Sequence, residues 1–305
     1  MYHRRDWSKY NRQLVNRGNI NFWIDSEVLK SWQAKKQKKN GHPFIYGDEL
    51  IKTMCFIRFK FHLSLRETEG FFTSLIRLMS GVFKVPCYTQ VCRRMKSLSL
   101  PLELIQKKNV TDIVLDPTGL KIYGAGEWRS QKYGTKKRWK KLHLAMDPNS
   151  GKLVLAELTN EYVHDTQYLE KSLQSMNSRK GKVLIDGIAD SKRCYELAQK
   201  YNKRLLTPPK TGAILRMEPG YEERNKAIAI IHGFGGDKQA KSLWSKLVGY
   251  NKRVVIESMI ARWKGLFGDK LGSRCDKRRE IEVKLKALMV NSIIDLPDSL
   301  SHASA

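Results

Sequence analysis

The chain has 305 residues, 41% hydrophobic and 10% aromatic, with 57 Lys+Arg against 30 Asp+Glu and a formal net charge of +27. This excludes a disordered polypeptide and gives length enough for one large domain or two ordinary ones, each with its own core. No run approaches the ~20 apolar residues of a membrane-spanning helix, and so large a basic excess argues against a free enzyme of neutral metabolites and for a polyanionic partner, nucleic acid before a lipid surface.

The five cysteines, Cys55, Cys87, Cys92, Cys194 and Cys275, are odd in number and include no C-x-x-C pair. A disulfide framework or a zinc site is not expected from them, and the compartment reads as reducing. The opening "MYHRRDWSKYNRQLVNRGN" lacks the apolar centre of a signal peptide, so the chain reads as cytoplasmic.

Residues 1–43 form a basic N-terminal arm ending in "AKKQKKNGHP", with Trp7, Tyr10, Phe22, Trp23 and Trp32 among the charges. Either its aromatics cap the next domain or the arm orders on DNA. Residues 44–108 read as helical. "DELIKTMCFIRFKFHL" carries apolar residues at helical spacing, and Ser64 with Glu67 gives the S-x-x-E of a capping box. Thr89 can cap a further helix bearing Arg93, Arg94 and Lys96. Two such helices suggest helix-turn-helix-like DNA binding, against the alternative of a plain bundle with a basic face.

From about 109 to 295 the pattern is α/β. "DIVLD", "KKLHLAMD", "KLVLAEL" and "KVLID" fit strands, and "DTQYLEKSLQSM" and "SKRCYELAQKY" fit helices. "MDPNSGK" joins the second and third strands as a hairpin. The order predicts a mixed sheet flanked by helices, antiparallel first and parallel later. Residues 205–249 read as an irregular insertion, 250–267 as an amphipathic helix, 276–293 as another helix and 296–305 as a flexible tail.

Three of the strands end in aspartate: Asp116, Asp147 and Asp186. Asp147 opens a turn, and Asp190 precedes a helix it can cap. Asp116 and Asp186 lack an equally good structural use, though each taken singly could simply end its strand, and ligands bind at strand ends in open α/β sheets. On the later helix Tyr250, Arg253, Glu257 and Lys264 fall within ~60° of one another at 100° per residue. A salt-bridged solvent face would explain that spacing equally well. Lys137, Arg138, Lys140 and Lys141 follow the first strand as a basic stretch that faces DNA or simply solvent. His143, alternating with Leu142 and Leu144, reads as a packed strand residue.

The succession "DPTGLKIYGAGEW", "RWKKLHLAMD", "LIDGIADSKRCY" and "GYNKRVVIESMIARWKGLFG" resembles the insertion-sequence transposases of the insertion-sequence-five family, which are DDE recombinases. The resemblance implies an RNase H-like (retroviral-integrase-like) fold behind a helical DNA-binding region. It implies Asp116, Asp186 and Glu257 as the catalytic, metal-binding acids, and Tyr250, Arg253 and Lys264 as DNA-backbone contacts. Two departures stand out: Pro117 replaces the usual serine of D-S-T-G, and Ile188-Ala189 replaces the Ala-Tyr of D-G-A-Y-D.

Such an acid triad would hold two Mg2+ ions, or Mn2+ in their place, since hard oxygen ligands suit both. Two ions roughly 3.5–4 Å apart would hold the attacking and leaving oxygens of a phosphodiester. Without metal the three carboxylates repel, and at least one pKa is expected to rise. The implied activity is Mg-dependent cleavage at the ends of a mobile element followed by strand transfer. The implied partners are double-stranded DNA, terminal inverted repeats, target DNA and a second copy of the chain in the DNA complex, on a bacterial nucleoid. A nuclease without strand transfer, or a catalytically decayed DNA-binding protein, are the alternatives.

Overall fold

The computed structural model describes residues 6–34, 43–81, 83–101, 104–122, 139–163, 165–210 and 212–296. The chain divides into two compact units, Met1–Leu100 with Cys275–Ala305, and Pro101–Arg274. Among the described residues, no helix is long and apolar enough to cross a membrane.

The first unit is helical: α1 (Trp7–Asn16), α2 (Ile20–Trp23), α3 (Ser26–Lys30), α4 (Asp48–Lys60), α5 (Leu65–Leu78), α6 (Tyr88–Met95) and the chain's last helix, Asp276–Ile294. Helix α4 is its centre, with Leu50, Ile51, Met54 and Ile57 fully buried, and it packs on α5, α6 and the last helix. The last helix is apolar on several sides, and within it Glu282 and Lys286 pair at 2.8 Å while both are buried. A buried charge needs such a partner. The α/β region is expected to run to 295; in the fold, residues 275–295 pack with the N-terminal helices, whose core their apolar surface completes.

Three further expectations change here. The segment read as an arm folds as α1 to α3, and Trp23 and Trp32 are buried within the unit; the Trp32 indole N–H donates to the Lys84 carbonyl at 2.8 Å. Helix α5 opens with the expected Ser64–Glu67 capping box, but the cap of α6 is Cys87 with Gln90, and Thr89 is already the second residue of the helix. The connection between α5 and α6, residues 79–87, is longer than the ~3–4-residue turn of a helix-turn-helix.

The second unit is a mixed sheet with flanking helices. Its elements are β1 (Ile113–Ile122), β2 (Trp139–Met146), β3 (Leu153–Asn160), α7 (Asp165–Gln174), β4 (Gly181–Leu184), α8 (Lys192–Lys200), β5 (Lys203–Leu206), α9 (Glu222–Gly233), α10 (Lys238–Val248), α11 (Val254–Phe267) and β6 (Lys270–Leu271). The sheet order is β3-β2-β1-β4-β5, with β6 pairing β1. Strands β1, β2 and β3 are antiparallel; β4 and β5 run parallel to β1. Strand side chains alternate between faces, so Ile113, Leu115, Val183 and Ile185 enter one core with Leu169 and Leu173 of α7 and Cys194 and Ala198 of α8. Asp147 opens the β2–β3 turn as expected, accepting from the Asn149 and Ser150 amides.

Residues 205–249 are not irregular throughout. After β5 they form α9 and α10, which close a small core of Ala227, Ile231, Ala240 and Trp244. The prolines before α9 (Pro208, Pro209 and Pro219) and the glycines between the two helices (Gly235 and Gly236) conceal the pattern. Gly249 ends α10 in the left-handed conformation, φ +80°, which a residue with a Cβ adopts at a cost. The chain then turns through a 3-10 turn, Tyr250–Arg253, into α11.

Candidate active site

Strand β1 pairs with β4 only at Ile113 and Val114, and meets β6 only from Lys121. Between these points, among the described residues, one side of β1 has no strand partner. The 3-10 turn 250–253 and α11 lie against β1. Asp116 stands in this stretch. The sequence predicts a strand ending at Asp116, but β1 continues through Pro117 and Gly119, paired with β2 as Pro117↔His143 and Gly119↔Lys141. A proline is tolerated in a strand where its missing N–H breaks no ladder bond, and the half-open side of β1 provides that.

The cation facing Asp116 is Arg253. One guanidinium nitrogen donates to the Asp116 carboxylate at 2.8 Å and another to the Glu257 carboxylate at 3.1 Å, so a single side chain bridges the first and third acids. The Asp116 side chain is 16% exposed and that of Arg253 20%, whereas Glu257 is 57% exposed. The bond to Asp116 is thus the strong one; the bond to Glu257 is an exposed i,i+4 helix pair of small value. The Arg253 Nε is buried without a hydrogen-bond partner.

Asp186 lies two residues beyond β4 and caps the 3-10 turn Gly187–Ala189, accepting from the Ile188 amide at 3.1 Å. Its backbone is fixed from several sides. The Thr207 hydroxyl donates to the Asp186 carbonyl at 2.6 Å, and the Tyr250 hydroxyl donates to the Ile185 carbonyl at 3.2 Å. Tyr250 therefore ties the entry of α11 to the exit of β4. Because β1 and β4 are ladder neighbours, Asp116 and Asp186 come close despite their separation in sequence.

Electrostatics place the three acids in one field. Burial pushes the Asp116 carboxyl above its ordinary range; Arg253 pulls it back, and the charges of Asp186 and Glu257 push it up further. The anticipated rise is thus present, with desolvation as its main cause and mutual repulsion secondary. Burial likewise pushes the Tyr250 phenol up to about 12; Arg253 opposes this, while Asp186, Asp116 and Glu257 add to it.

Tyr250 and Arg253 sit on the 3-10 turn and Glu257 on α11, so the one-helix geometry assumed from the sequence holds only from Val254 onward. Lys264 is exposed near the end of α11. Lys140 and Lys141 lie on β2 and bind the Asn160 side chain at 2.7 Å and the Val163 carbonyl at 3.3 Å. Lys137 and Arg138 fall outside the described residues. His143 is a packed residue as expected, buried and within 2.8 Å of the Thr159 hydroxyl.

In the helical unit, Arg93 is exposed on α6, whereas Arg94 turns inward. It is buried, ion-paired with Asp48, bonded to the Ser97 hydroxyl at 3.1 Å, and lies 3.7 Å over the Phe44 ring. Sequence spacing alone could not tell which of two adjacent arginines faces inward.

Two residues escaped the sequence reading. Asp190 is not the cap of α8, which is Ser191. It forms a buried ion pair with Arg224 of α9, Oδ1 to Nε 3.0 Å. The "AIAII" run around residues 227–231 was the available sign that α9 is a packed helix.

Three carboxylate side chains offer the hard oxygens that Mg2+ and Mn2+ prefer, and the buried Asp116 carboxylate already draws a cation, here Arg253. Among the described residues no three of His, Cys, Asp and Glu stand close enough to hold a metal in this arrangement. The donor chemistry fits a divalent ion, with Arg253 as the group it would replace.

Residues 110–292 match a family model described as Transposase DDE domain, and residues 15–125 match a second model of the same description. Among solved structures, a "Cryo-EM structure of piggyBac transposase synaptic complex with hairpin DNA (SNHP)" aligns at 8% identity over 94% of this chain and 81% of that chain, with a TM-score of 0.30. That score is too low to carry an argument.

Proposed function

Because the chain belongs to the transposase DDE-domain family, we propose that it binds the ends of an insertion sequence and performs metal-dependent DNA cleavage and strand transfer. Within that family its motifs resemble those of the insertion-sequence-five transposases, and its sheet order supports an RNase H-like reading. The observation that supports the proposal is the bridge that Arg253 makes between Asp116 and Glu257, with Asp186 in the same electrostatic field, in a chain of formal charge +27.

In this reading Asp116, Asp186 and Glu257 would hold the divalent ions. When bound, those ions would supply Lewis-acid activation of water and stabilisation of the leaving oxygen. The residues of the chain do the rest. Asp116 and Asp186 are fixed by the strand ladder and by Thr207, so their carboxylates are preorganised. Arg253 neutralises Asp116. Its planar fork suits a scissile phosphate. Tyr250 keeps the turn that carries Arg253 against β4. Lys264, Lys140, Lys141 and Arg93 add phosphate contacts whose strength falls with salt. Pairing of two ends requires a homodimer on DNA.

The test uses end-labelled duplexes carrying the ends of the encoding element, with Mg2+ or Mn2+ and a plasmid target. The parent chain is expected to nick at the element ends and to join the 3′ hydroxyl to the target. Asp116→Asn is expected to bind DNA but not to cut it. Cleavage without joined product would leave a nuclease, and an Asp116→Asn variant that cuts like the parent would remove the site assignment.

A further inference from the structure

The second aspartate of "DGIAD" holds the most heavily bonded buried carboxylate near the site. Asp190 Oδ1 accepts from Arg224 Nε at 3.0 Å and from the Tyr195 hydroxyl at 3.2 Å, while Oδ2 accepts from the Lys210 amide at 3.0 Å. Its side chain is 1% exposed and that of Arg224 9%. Arg224 also donates to the Ile214 carbonyl at 2.7 Å and lies 5.5 Å over the Tyr221 ring. These partners come from α8, from the loop after β5 and from α9. They converge on the last residue of the turn that begins at Asp186.

That turn is short and stiff. The Ala189 amide donates to the Asp186 carbonyl and the Asp190 amide to the Gly187 carbonyl, both at 3.2 Å. Displacing the Asp190 side chain must therefore displace Asp186. Stability is a weak reason for such an arrangement, since a buried ion pair is often matched or bettered by apolar residues of like volume. A buried pair does fix one geometry, because its donors and acceptors have no other partners to turn to.

We propose that the Asp190–Arg224 ion pair is a positioning clamp for Asp186: it fastens the 186–190 turn to α9 and thereby sets the direction in which the second acid faces Asp116. Neither residue is catalytic in this proposal. The segment 207–249 then has a purpose, since α9 delivers Arg224 to Asp190 and α10 leads through Gly249 to Tyr250. The consequence for metal rests on the function proposed above; the consequence for the turn does not.

Asp190→Asn alone leaves a buried guanidinium without its counter-charge, so global unfolding would be uninformative. The discriminating variant is Asp190→Asn with Arg224→Gln, which removes both charges and keeps hydrogen-bonding shape; Arg224→Lys, which keeps charge but loses the fork, is its companion. Hydrogen exchange on the full metal-free chain is the first readout. Amides 187–190 are expected to exchange about tenfold faster or more in the double variant, with β1 and α11 unchanged, as for a local opening. Arg224→Lys should show a smaller change in the same place.

Mn2+ binding, followed by the resonance of the free ion, is the second readout. Outer partners of metal ligands typically contribute ~10–100-fold in affinity, and a loss of that size is expected. Unchanged exchange at 187–190 in folded variants, or a uniform rise across the unit with Mn2+ affinity intact, overturns the clamp. If the parent and Asp186→Asn bind Mn2+ equally, the metal reading of Asp186 fails instead, and the exchange result still decides the clamp.

Discussion

Arg253→Ala tests the electrostatics of the site directly. The substitution removes both bonds that join Asp116 and Glu257. The Glu257 arm is exposed and its loss contributes almost nothing. The Asp116 arm is different, because both partners are about four-fifths buried, with side chains 16% and 20% exposed. A charge-assisted bond of that kind contributes ~1.5–3 kcal/mol, and the truncation also leaves Asp116 beside two like charges. At ~2–4 °C per kcal/mol for a domain of 150–250 residues, the melting temperature in EDTA should fall by about 3–12 °C. Saturating Mg2+ at 100 times its dissociation constant returns ~2.7 kcal/mol, close to what was lost. The parent must break its own bridge to load the ion, so Mg2+ should raise its melting temperature less than that of the variant. Differential scanning calorimetry with EDTA and with MgCl2 gives the four values. Equal melting in EDTA, or an equal Mg2+ shift in both proteins, would refute the reasoning.

Tyr250 gives a prediction in the alkaline range. Its pKa is raised from 10.0 to about 12, so the stability held in the neutral phenol is fully present below pH 10 and is lost as pH rises through 12. The absorbance difference at 295 nm between the parent and Tyr250→Phe should titrate near 12, and a midpoint at 10 would contradict the burial. Arg94→Ala should destabilise the helical unit by ~2 kcal/mol through its ion pair and ring contact. Arg93→Ala should leave melting unchanged and lower the salt slope of DNA binding by about 1. Among the cysteines, burial holds the Cys55 thiol up at about 12, while hydrogen bonds pull Cys87 and Cys275 below the usual value. Iodoacetamide at pH 8 should label Cys87 and Cys275 first and spare Cys55 until the protein unfolds.

The sheet was legible because its strands are apolar runs bounded by turn residues, and because "MDPNSGK" can hardly do anything but turn. The flanking helices α7 and α8 were legible by period. The segment 205–249 was not, since turn-rich stretches precede α9 and separate it from α10, and the two helices close only a small core of their own. The last helix was seen, but its partner was not: period shows that a helix has an apolar face, never which apolar face it meets. Asp190 looked like a cap because it precedes a helix by two residues, and only a tertiary partner, Arg224 thirty-four positions away, reveals its other use. The same limit applies to Arg93 and Arg94, which period alone leaves equivalent.

The three acids do not depend on the fold in the same way. Asp116 and Asp186 are neighbours because β1 and β4 share a ladder, so their proximity is as secure as the centre of the sheet. Glu257 reaches them only through a chain of local devices: the left-handed Gly249, the 3-10 turn, the Tyr250 bond to the Ile185 carbonyl and the bridge through Arg253. It is also the most exposed of the bridged groups. Any rearrangement that brings three carboxylates onto one cation therefore falls on the first turn of α11 and the side chain of Arg253, where few packed contacts are lost, and not on the sheet, where moving either aspartate would break backbone bonds. In the proposed reading, two acids are fixed and the third must be brought to them, and Arg253 is the residue that would hold Glu257 in reach of Asp116.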